Sequence, residues 1–392
     1  MRPFVPSATG PRALRLKRTD FQSLLKMSTS RFLFTNGVVS TSAETPSVTT
    51  FLQTQPGAYT TTRTHNNASC LLFWERHLRR LSNSVQILLH LNPRFLFGPR
   101  VSRNLKLDIP MSLESMIRHR VCDSMREALP ITLKERNEGK ELAITALIGG
   151  NFEKMCEIGE LNEETIGSVL DVYVHMGIYV PPLFGVSQNG ARLAVVGRGR
   201  DLAEAKYAEW ARLRKPLEDL RPCLATELLL SDDGDRILEG SVTNFFVVCL
   251  KEDCYATEEN VQDNGSYHPY EVKTAPVHDG VLPGVIRQLV IEICSSKGIA
   301  VQEVCPSWSK RETWKEAFIT NSLRIVQHVE LIQVPRTWTS QQSKTWKEVS
   351  WEDKQFKGPG MVTAIIQREL MVRAGLEGYP VAQFTARCAL EQ

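Results

Sequence analysis

The chain has 392 residues, of which 42% are hydrophobic and 23% are charged, and its formal net charge is +3. This composition is ordinary for a soluble globular protein of about two domains, and the small net charge gives no sign of nucleic-acid binding. The nine cysteines are odd in number and include no Cys-x-x-Cys pair, which argues against a disulfide framework and a zinc ribbon. No apolar run approaches the roughly 18–20 residues of a membrane helix, so no membrane partner is predicted. The sequence predicts no metal site either.

The first 30 residues differ from the rest of the chain. They are basic and rich in Ser, Pro and Thr, with Asp20 as their single acid. Such a segment is typical of an organelle transit peptide, or of a disordered extension, since Met27 could serve as a second start. We therefore expect residues 1–30 to be an extension. The protein is expected in the cytoplasm, or in a chloroplast or mitochondrion if the extension is a transit peptide.

The first half of the folded part alternates between strand and helix patterns. Residues 32–39 indicate two short strands joined by a turn at Asn36 and Gly37. Apolar residues recur at helical spacing over 75–91, and a second helix is predicted at 112–127 with Ser112 as a candidate N-cap. Further strands are predicted at 59–64, 143–148 and 169–174.

Pro181 and Pro182 interrupt this pattern. We place a domain boundary there, between a smaller domain at 31–178 and a larger one at 183–370. In the larger domain, strands are predicted at 191–196, 245–250 and 317–320 and in a run that ends at Glu239, and helices at 226–230 and 285–295. A loop is predicted at 258–268, an exposed insertion at about 337–357 and a C-terminal tail at 371–392.

A lysine and a carboxylate carry the chemistry that the sequence indicates. Lys206 lies in the run Ala-Lys-Tyr-Ala-Glu-Trp, and Glu239 follows 33 residues later at the end of a predicted strand. A lysine amine that forms a Schiff base and a carboxylate that pairs with a protonated pyridine nitrogen are what a pyridoxal-phosphate enzyme needs. Burial and a nearby arginine would lower the pKa of the lysine and so favour its reactive neutral form. Gly240 and Asn244 suggest a tight bend that fixes the carboxylate.

Three further motifs could bind a phosphate. Pro283 and Gly284 precede a predicted helix, whose first free N–H groups, at Val285 and Ile286, form a ready anion site. Arg80, in the run His-Leu-Arg-Arg-Leu, could clamp a phosphate with two hydrogen bonds. Ser322, which follows a short predicted strand, could add a hydroxyl.

Together these motifs resemble those of the class IV aminotransferases, the pyridoxal-phosphate enzymes of fold type IV. This family includes branched-chain and D-amino-acid aminotransferases and aminodeoxychorismate lyases. The resemblance covers roughly residues 31–335 and implies an α/β (α+β) fold of two domains, with the cofactor in the cleft between them.

The resemblance also implies roles for individual residues and a partner set. Lys206 matches the Schiff-base lysine, Glu239 with Asn244 the partner of the pyridine nitrogen, and Arg80 the phosphate arginine. Val285, Ile286 and Ser322 match the family's other phosphate-binding positions. The implied activity is amino transfer between an amino acid and a 2-oxo acid, in a homodimer that binds pyridoxal 5′-phosphate.

The sequence departs from the family pattern in two places. The approach to the second strand is Thr54-Gln55-Pro56-Gly57 rather than a Gly-Asp-Gly type, and Ala211 stands where branched-chain enzymes have a tyrosine that supports the cofactor hydroxyl. Residues 57–63 look more like the lyase branch. A lyase of the same family and a non-catalytic protein of this fold therefore stay open as alternatives. A hydrolase built on His278 and Asp279 is a third one, although that pair fits a turn more simply.

Overall fold

We describe a computed structural model of the chain over residues 31–40, 45–102, 110–158, 165–251, 269–338 and 346–386. Strands and helices alternate in a mixed α+β arrangement, as the sequence predicts. Among the described residues, no helix has both the length and the apolar character that crossing a membrane requires.

The first sheet is built almost entirely from the N-terminal half of the chain. Its strands are β1 (Arg31–Thr35), β2 (Val38–Val39), β3 (Ala58–His65), β4 (Cys70–Leu71), β5 (Glu141–Gly150), β6 (Leu170–Tyr179) and β16 (Tyr379–Pro380). They lie in the order β16-β4-β3-β5-β6-β1-β2, and every neighbouring pair is antiparallel. Strand β16 comes from near the C-terminus, so the end of the described chain completes the sheet formed by its beginning.

Helices cover this sheet because they carry an apolar stripe at helical spacing. The helices of this half are α1 (Val48–Thr54), α2 (Trp74–Leu91), α3 (Arg94–Phe97), α4 (Leu113–Lys134) and α5 (Phe152–Ile158). Leu81 and Val85 of α2 and Val121 of α4 are fully buried in one core with Val174 of β6. Burying a side chain of this kind contributes about 1.5–3 kcal/mol, so this stripe fixes α2 against the sheet.

The second sheet contains the other nine strands. They are β7 (Ala191–Val195), β8 (Glu227–Ser231), β9 (Ile237–Gly240), β10 (Asn244–Leu250), β11 (Tyr270–Thr274), β12 (Ala300–Glu303), β13 (Trp314–Asn321), β14 (Ile325–Pro335) and β15 (Trp351–Gln355). Their order is β12-β11-β10-β13-β14-β7-β8-β9, with β15 attached to β14. Because Asn244 of β10 also pairs with Glu239 of β9, six of these strands close into a ring.

The other five helices come from the C-terminal half of the chain. They are α6 (Trp210–Leu213), α7 (Lys215–Asp219), α8 (Val285–Ser296), α9 (Met361–Leu376) and α10 (Ala382–Thr385). Leu289 of α8 and Ile366 of α9 are buried in one core with Phe246 of β10 and Phe318 of β13, whose rings stack with centroids 4.8 Å apart. This core anchors the beginning of α8 beside the ends of β9 and β10.

One sequence prediction is wrong. Residues 226–230 are predicted as a helix, but Glu227–Ser231 is strand β8, in which all five residues are buried. A short apolar run does not distinguish a buried strand from a helix, and here pairing with β7 and β9 decides. The exposed insertion predicted at about 337–357 contains strand β15, which pairs with β14 and is partly exposed.

Ser112 does precede α4 at the N-cap position, but its side chain makes no capping hydrogen bond. The loop predicted at 258–268 and the extension at 1–30 lie outside the described residues.

Candidate active site

Lys206 lies where the first sheet meets the second. It belongs to the connection between β7 and α6, and its carbonyl accepts a hydrogen bond from the N–H of Tyr59 in β3 (2.9 Å). Its own N–H donates to Ser84 Oγ of α2 (3.1 Å). The backbone of Lys206 is therefore fixed by two elements of the first sheet and its helices, rather than by a helix of its own.

The environment of the Lys206 amine favours its neutral form. Its Nζ lies 4.7 Å from the ring centroid of Tyr59. Burial lowers the pKa of Lys206, the positive charges of Arg80 and Arg200 lower it further, and Tyr59 opposes them. A lysine with a lowered pKa spends more time as a nucleophilic free amine.

Tyr59 is a site residue that the sequence motifs did not single out. Its side chain is 6% exposed and packs in a cluster with Ala208 and Ala211. Although burial acts to raise it, the pKa of Tyr59 is lowered by Lys206 and by Arg214. A phenol thus lies beside the lysine, in the same buried cluster as Ala211.

Glu239 is held by four donors. Its Oε1 accepts from Arg200 Nε (2.8 Å) and Arg200 Nη2 (2.5 Å). Its Oε2 accepts from the N–H of Leu282 (3.0 Å) and from Asn244 Nδ2 (3.2 Å). Burial raises the pKa of Glu239, and Arg200 is the strongest influence in the opposite direction. Neither the Arg200 ion pair nor the Leu282 contact was foreseen from the sequence, because both partners lie far along the chain.

Arg80 is part of a buried hydrogen-bond chain. Its Nη2 donates to Thr60 Oγ1 (2.8 Å), and the Thr60 hydroxyl lies 2.8 Å from His77 Nδ1. Arg80 Nη2, which can only donate, also lies 3.4 Å from Nδ1, so Nδ1 is the acceptor and the histidine proton lies on Nε2. Burial lowers the pKa of Arg80 to about 10, so it stays a cation at neutral pH. Arg80 Nε is buried and has no partner among the described residues.

The beginning of α8 and the end of β13 supply further unpaired polar groups. Gly284 is the N-cap of α8 and no side chain caps this end, so the N–H groups of Val285 and Ile286 have no partner within the helix. Thr320 lies opposite Asn244 in the β10–β13 pairing, and its Oγ1 is buried without a partner among the described residues. Ser322 is half-buried in the turn that follows.

Most of the site residues predicted from the sequence are thus connected through direct contacts or short chains of contacts. Lys206 and Arg80 act on each other electrostatically, Glu239 and Asn244 are hydrogen-bonded, and Asn244 also donates to the carbonyl of Leu282 (2.9 Å), just before α8. Arg80 and Pro283 line one cavity of about 500 Å³. The hydroxyl of Ser322 makes no hydrogen bond within the described part of the chain. The buried hydroxyl without a partner belongs to Thr320, two residues earlier.

These residues fit a phosphorylated pyridine cofactor. Arg80 Nε and Thr320 Oγ1 are buried donors without a partner, which a phosphate oxygen could satisfy. The uncapped beginning of α8 is suited to the same anion. Lys206 offers an amine of lowered pKa, and Glu239 a buried carboxylate. The chemistry of these donors corresponds to the phosphate, aldehyde and ring nitrogen of pyridoxal 5′-phosphate.

Two other features lie apart from Lys206. His278 and Asp279 are neighbours in a short 3₁₀ turn, with the His278 side chain 84% exposed, and so they form an exposed turn as their sequence suggests. A cavity of about 820 Å³ has Arg200, Tyr207, Trp210 and Trp338 among its lining residues, but not Lys206.

Part of the chain matches a known protein family. Residues 202–332, which include Lys206, Glu239 and the beginning of α8, match the family model of amino-transferase class IV. No curated protein matches the chain in sequence.

Solved structures share the fold. A fold IV-transaminase from Curtobacterium pusillum has a TM-score of 0.55 at 15% identity, with 88% of this chain and 99% of that chain covered. A branched-chain aminotransferase from Thermoproteus uzoniensis, solved with norvaline, has a TM-score of 0.53 at 17% identity, with 89% and 99% covered. The T.th. branched-chain amino acid aminotransferase complexed with N-(5′-phosphopyridoxyl)-L-glutamate has the same TM-score and identity, with 88% and 94% covered. The resemblance to the class IV aminotransferases is therefore confirmed, by the family model over residues 202–332 and by the fold over most of the chain.

Proposed function

We propose that this protein is a pyridoxal-phosphate-dependent class IV aminotransferase that moves an amino group between an amino acid and a 2-oxo acid. The observation that carries the proposal is the pair of Lys206 and Glu239. The two groups are brought into one buried site from separate elements, each with a shifted pKa. The substrates bound to the similar structures are amino acids and their analogues, which supports a small-molecule substrate of that class.

In this proposal the cofactor, when bound, supplies a reactive aldehyde and a cationic ring that withdraws electrons. Arg80, Thr320 and the N–H groups of Val285 and Ile286 would bind its phosphate, with Ser322 as a further candidate hydroxyl. Glu239, positioned by Asn244 and the Leu282 N–H, would hold the proton at the ring nitrogen. Lys206 Nζ would attach to the cofactor and, when released by substrate, take and return the substrate proton.

Tyr59 would assist Lys206 in this proton transfer. Its ring lies against Nζ, and its lowered pKa makes its hydroxyl a better proton donor than an ordinary phenol. The family's supporting tyrosine is absent at Ala211, and Tyr59 lies in the same buried cluster as Ala211.

The test is a covalent labelling experiment. Purified protein is incubated with pyridoxal 5′-phosphate, reduced with borohydride and digested. We expect the cofactor mass on the peptide that contains Lys206, and no such label in Lys206→Ala. Lys215→Ala, which removes the lysine at the beginning of α7, is the matched control and should keep the label. Labelling of other lysines alone would contradict the proposal.

A screen of donors and acceptors separates the open alternatives. An aminotransferase consumes an amino donor and forms a new amino acid from an added 2-oxo acid. A lyase of the same family instead forms product from a single substrate without an acceptor. Protein that is labelled at Lys206 but turns over no substrate in either assay would be a non-catalytic protein of this fold. The homodimer that the family implies is tested by light scattering.

A further inference from the structure

Arg200 is a buried cation that the sequence motifs do not assign to any role. Its side chain is 5% exposed, and that of its partner Glu239 is 3% exposed. Both Nε and Nη2 donate to Oε1 of Glu239, at 2.8 and 2.5 Å. Two contacts from a planar guanidinium converge on this one oxygen, and they fix the position of Oε1 as well as pairing its charge.

Arg200 is itself held in place by a rigid neighbour. Its Cζ lies 5.3 Å from the ring centroid of Trp210, and Trp210 Nε1 donates to the carbonyl of Ser241 (2.8 Å). Ser241 lies two residues after Glu239 in the same bend. The guanidinium is therefore clamped between an indole and the carboxylate, and both of these are anchored to one end of β9.

The contacts of Glu239 suggest which donor would make room for a ring nitrogen. Leu282 donates through its backbone N–H, which cannot rotate away. Asn244 makes the longest contact, 3.2 Å, and its Nδ2 has a second acceptor in the carbonyl of Leu282 at 2.9 Å. Asn244 can thus yield its contact with Glu239 and keep a partner. Among the described residues, Arg200 has no hydrogen-bond acceptor besides Glu239, and its release would leave a buried cation unpaired, so it stays.

We propose that Arg200 is a positioning residue for the cofactor-nitrogen site, one that aims Glu239 at the ring nitrogen and keeps its carboxylate charged. This inference rests on the proposed function, because it requires that a pyridine cofactor binds at Lys206. Arg200 acts through Glu239 and not on the substrate. Its effect is therefore specific to ligands that present a ring N–H.

The experiment measures dissociation constants of the full-length protein for two probes. One is pyridoxal 5′-phosphate, and the other is its analogue with a carbon in place of the ring nitrogen. Arg200→Met should weaken binding of pyridoxal 5′-phosphate by at least about tenfold and leave binding of the carbon analogue within about threefold of wild type. Glu239 without Arg200 is protonated more easily. As the pH is lowered, the affinity for pyridoxal 5′-phosphate should therefore begin to fall at a higher pH in the variant than in wild type.

Two further variants make the result decisive. Arg198→Met removes an arginine two residues away whose side chain is 72% exposed, and it should change neither constant. Arg200→Lys keeps the charge but loses the planar pair of donors, and it should restore part of the lost affinity. It also provides the same comparison of probes if Arg200→Met does not fold.

Equal weakening of both probes would overturn the proposal, since Arg200 would then act on the fold alone. Unchanged binding of pyridoxal 5′-phosphate by folded Arg200→Met would also overturn it. If wild type binds neither probe, the proposed function itself fails and this inference fails with it. If wild type binds both probes and the variants do not discriminate between them, only the role of Arg200 is lost.

Discussion

At the scale of single residues, the site depends on charges that are buried in pairs. The side chains of Glu239 and Arg200 are 3% and 5% exposed, so both charges are largely shielded from water. Taking two such charges out of water costs several kcal/mol each, and their contact offsets that cost only while both remain. The pair therefore contributes little net stability when intact, and each member depends strongly on the other.

Glu239→Gln tests this dependence. The substitution keeps the shape of the side chain but leaves Arg200 beside a neutral group, and we expect the free energy of unfolding to fall by about 3–5 kcal/mol. Urea unfolding measures this value. Asp201→Asn is the matched control, because it breaks an exposed pair with Arg198 and should cost less than about 1 kcal/mol. Equal effects of the two variants would contradict our account of the buried pair.

His77 makes a second residue-scale prediction, about pH. Burial holds the pKa of His77 well below its ordinary value, with Arg80 adding to the effect. The folded protein therefore binds this proton more weakly than the unfolded chain does. Unfolding takes up the proton once the pH falls below about 6.5, so stability is lost towards acid by up to about 1.4 kcal/mol per pH unit for this group.

His77→Gln should reduce that loss. The variant starts from a lower stability, since the bond to Thr60 is altered, but its free energy of unfolding should fall less steeply between about pH 6.5 and 5.5. Denaturant unfolding at a series of pH values gives the slope. His278→Gln, at a side chain that is 84% exposed, serves as the control and should keep the wild-type slope. An unchanged slope in His77→Gln would show that this histidine does not titrate as its burial indicates.

At the scale of elements, the sequence predicted best where a pattern is local. The stripe of leucines in α2 and the Pro-Gly beginning of α8 are complete within one segment, and both helices begin and end close to the predicted residues. Strand β8 was missed because its apolar run fits two structures, and its partners β7 and β9 decide between them. Lys206, Glu239 and Arg80 could be proposed as site residues because their motifs are also local. Arg200 and Tyr59 could not, since each acquires its role from a partner distant in sequence.

Gly284 gives the element-scale prediction, because it joins α8 to the strand ends. A Cβ at this position would overlap Asn244 Oδ1, and Asn244 is held by Glu239 and by the carbonyl of Leu282. Gly284→Ala should therefore displace Asn244 and lower the free energy of unfolding by about 1–3 kcal/mol, the cost of buried polar groups that lose their partners.

The control for Gly284 lies within another helix. Gly375 is in α9, and nothing lies within 4 Å of the position that its Cβ would occupy. Gly375→Ala should be neutral or stabilising by up to about 1 kcal/mol, since alanine favours helix more than glycine does. If both variants were equally tolerated, the approach of Gly284 to Asn244 would not be a constraint on the site.

At the scale of the whole molecule, the site depends on how two sheets are held together. Lys206 is fixed to β3 and α2, whereas Glu239 belongs to the ring of strands in the second sheet. The distance between amine and carboxylate thus depends on contacts that cross from one sheet to the other. Residues that make such contacts can influence the site without touching it.

Arg76 of α2 makes the most extensive of these crossing ion pairs among the described residues. Its Nη1 donates to Glu292 of α8 (2.7 Å) and its Nε donates to Glu377, just after α9 (2.7 Å), while Arg373 of α9 also donates to Glu292 (2.8 Å). The four side chains are between 23% and 41% exposed, so water screens them partly. A network of this kind holds three helices in one arrangement more firmly than isolated surface pairs would.

Arg76→Met should lower the free energy of unfolding by about 1–2 kcal/mol in low salt, because it removes the cation that pairs with both Glu292 and Glu377. The difference from wild type should shrink by about half or more in about 1 M salt, where the Debye length is only about 3 Å. Arg79→Met, at an exposed arginine of the same helix, should have little effect in either condition.

Because α2 also carries Arg80 and Ser84, we expect Arg76→Met to weaken binding of pyridoxal 5′-phosphate modestly. Salt should reduce this effect and the loss of stability to the same extent. A salt-independent loss of stability would mean that Arg76 acts through packing of its methylene groups and not through its charge.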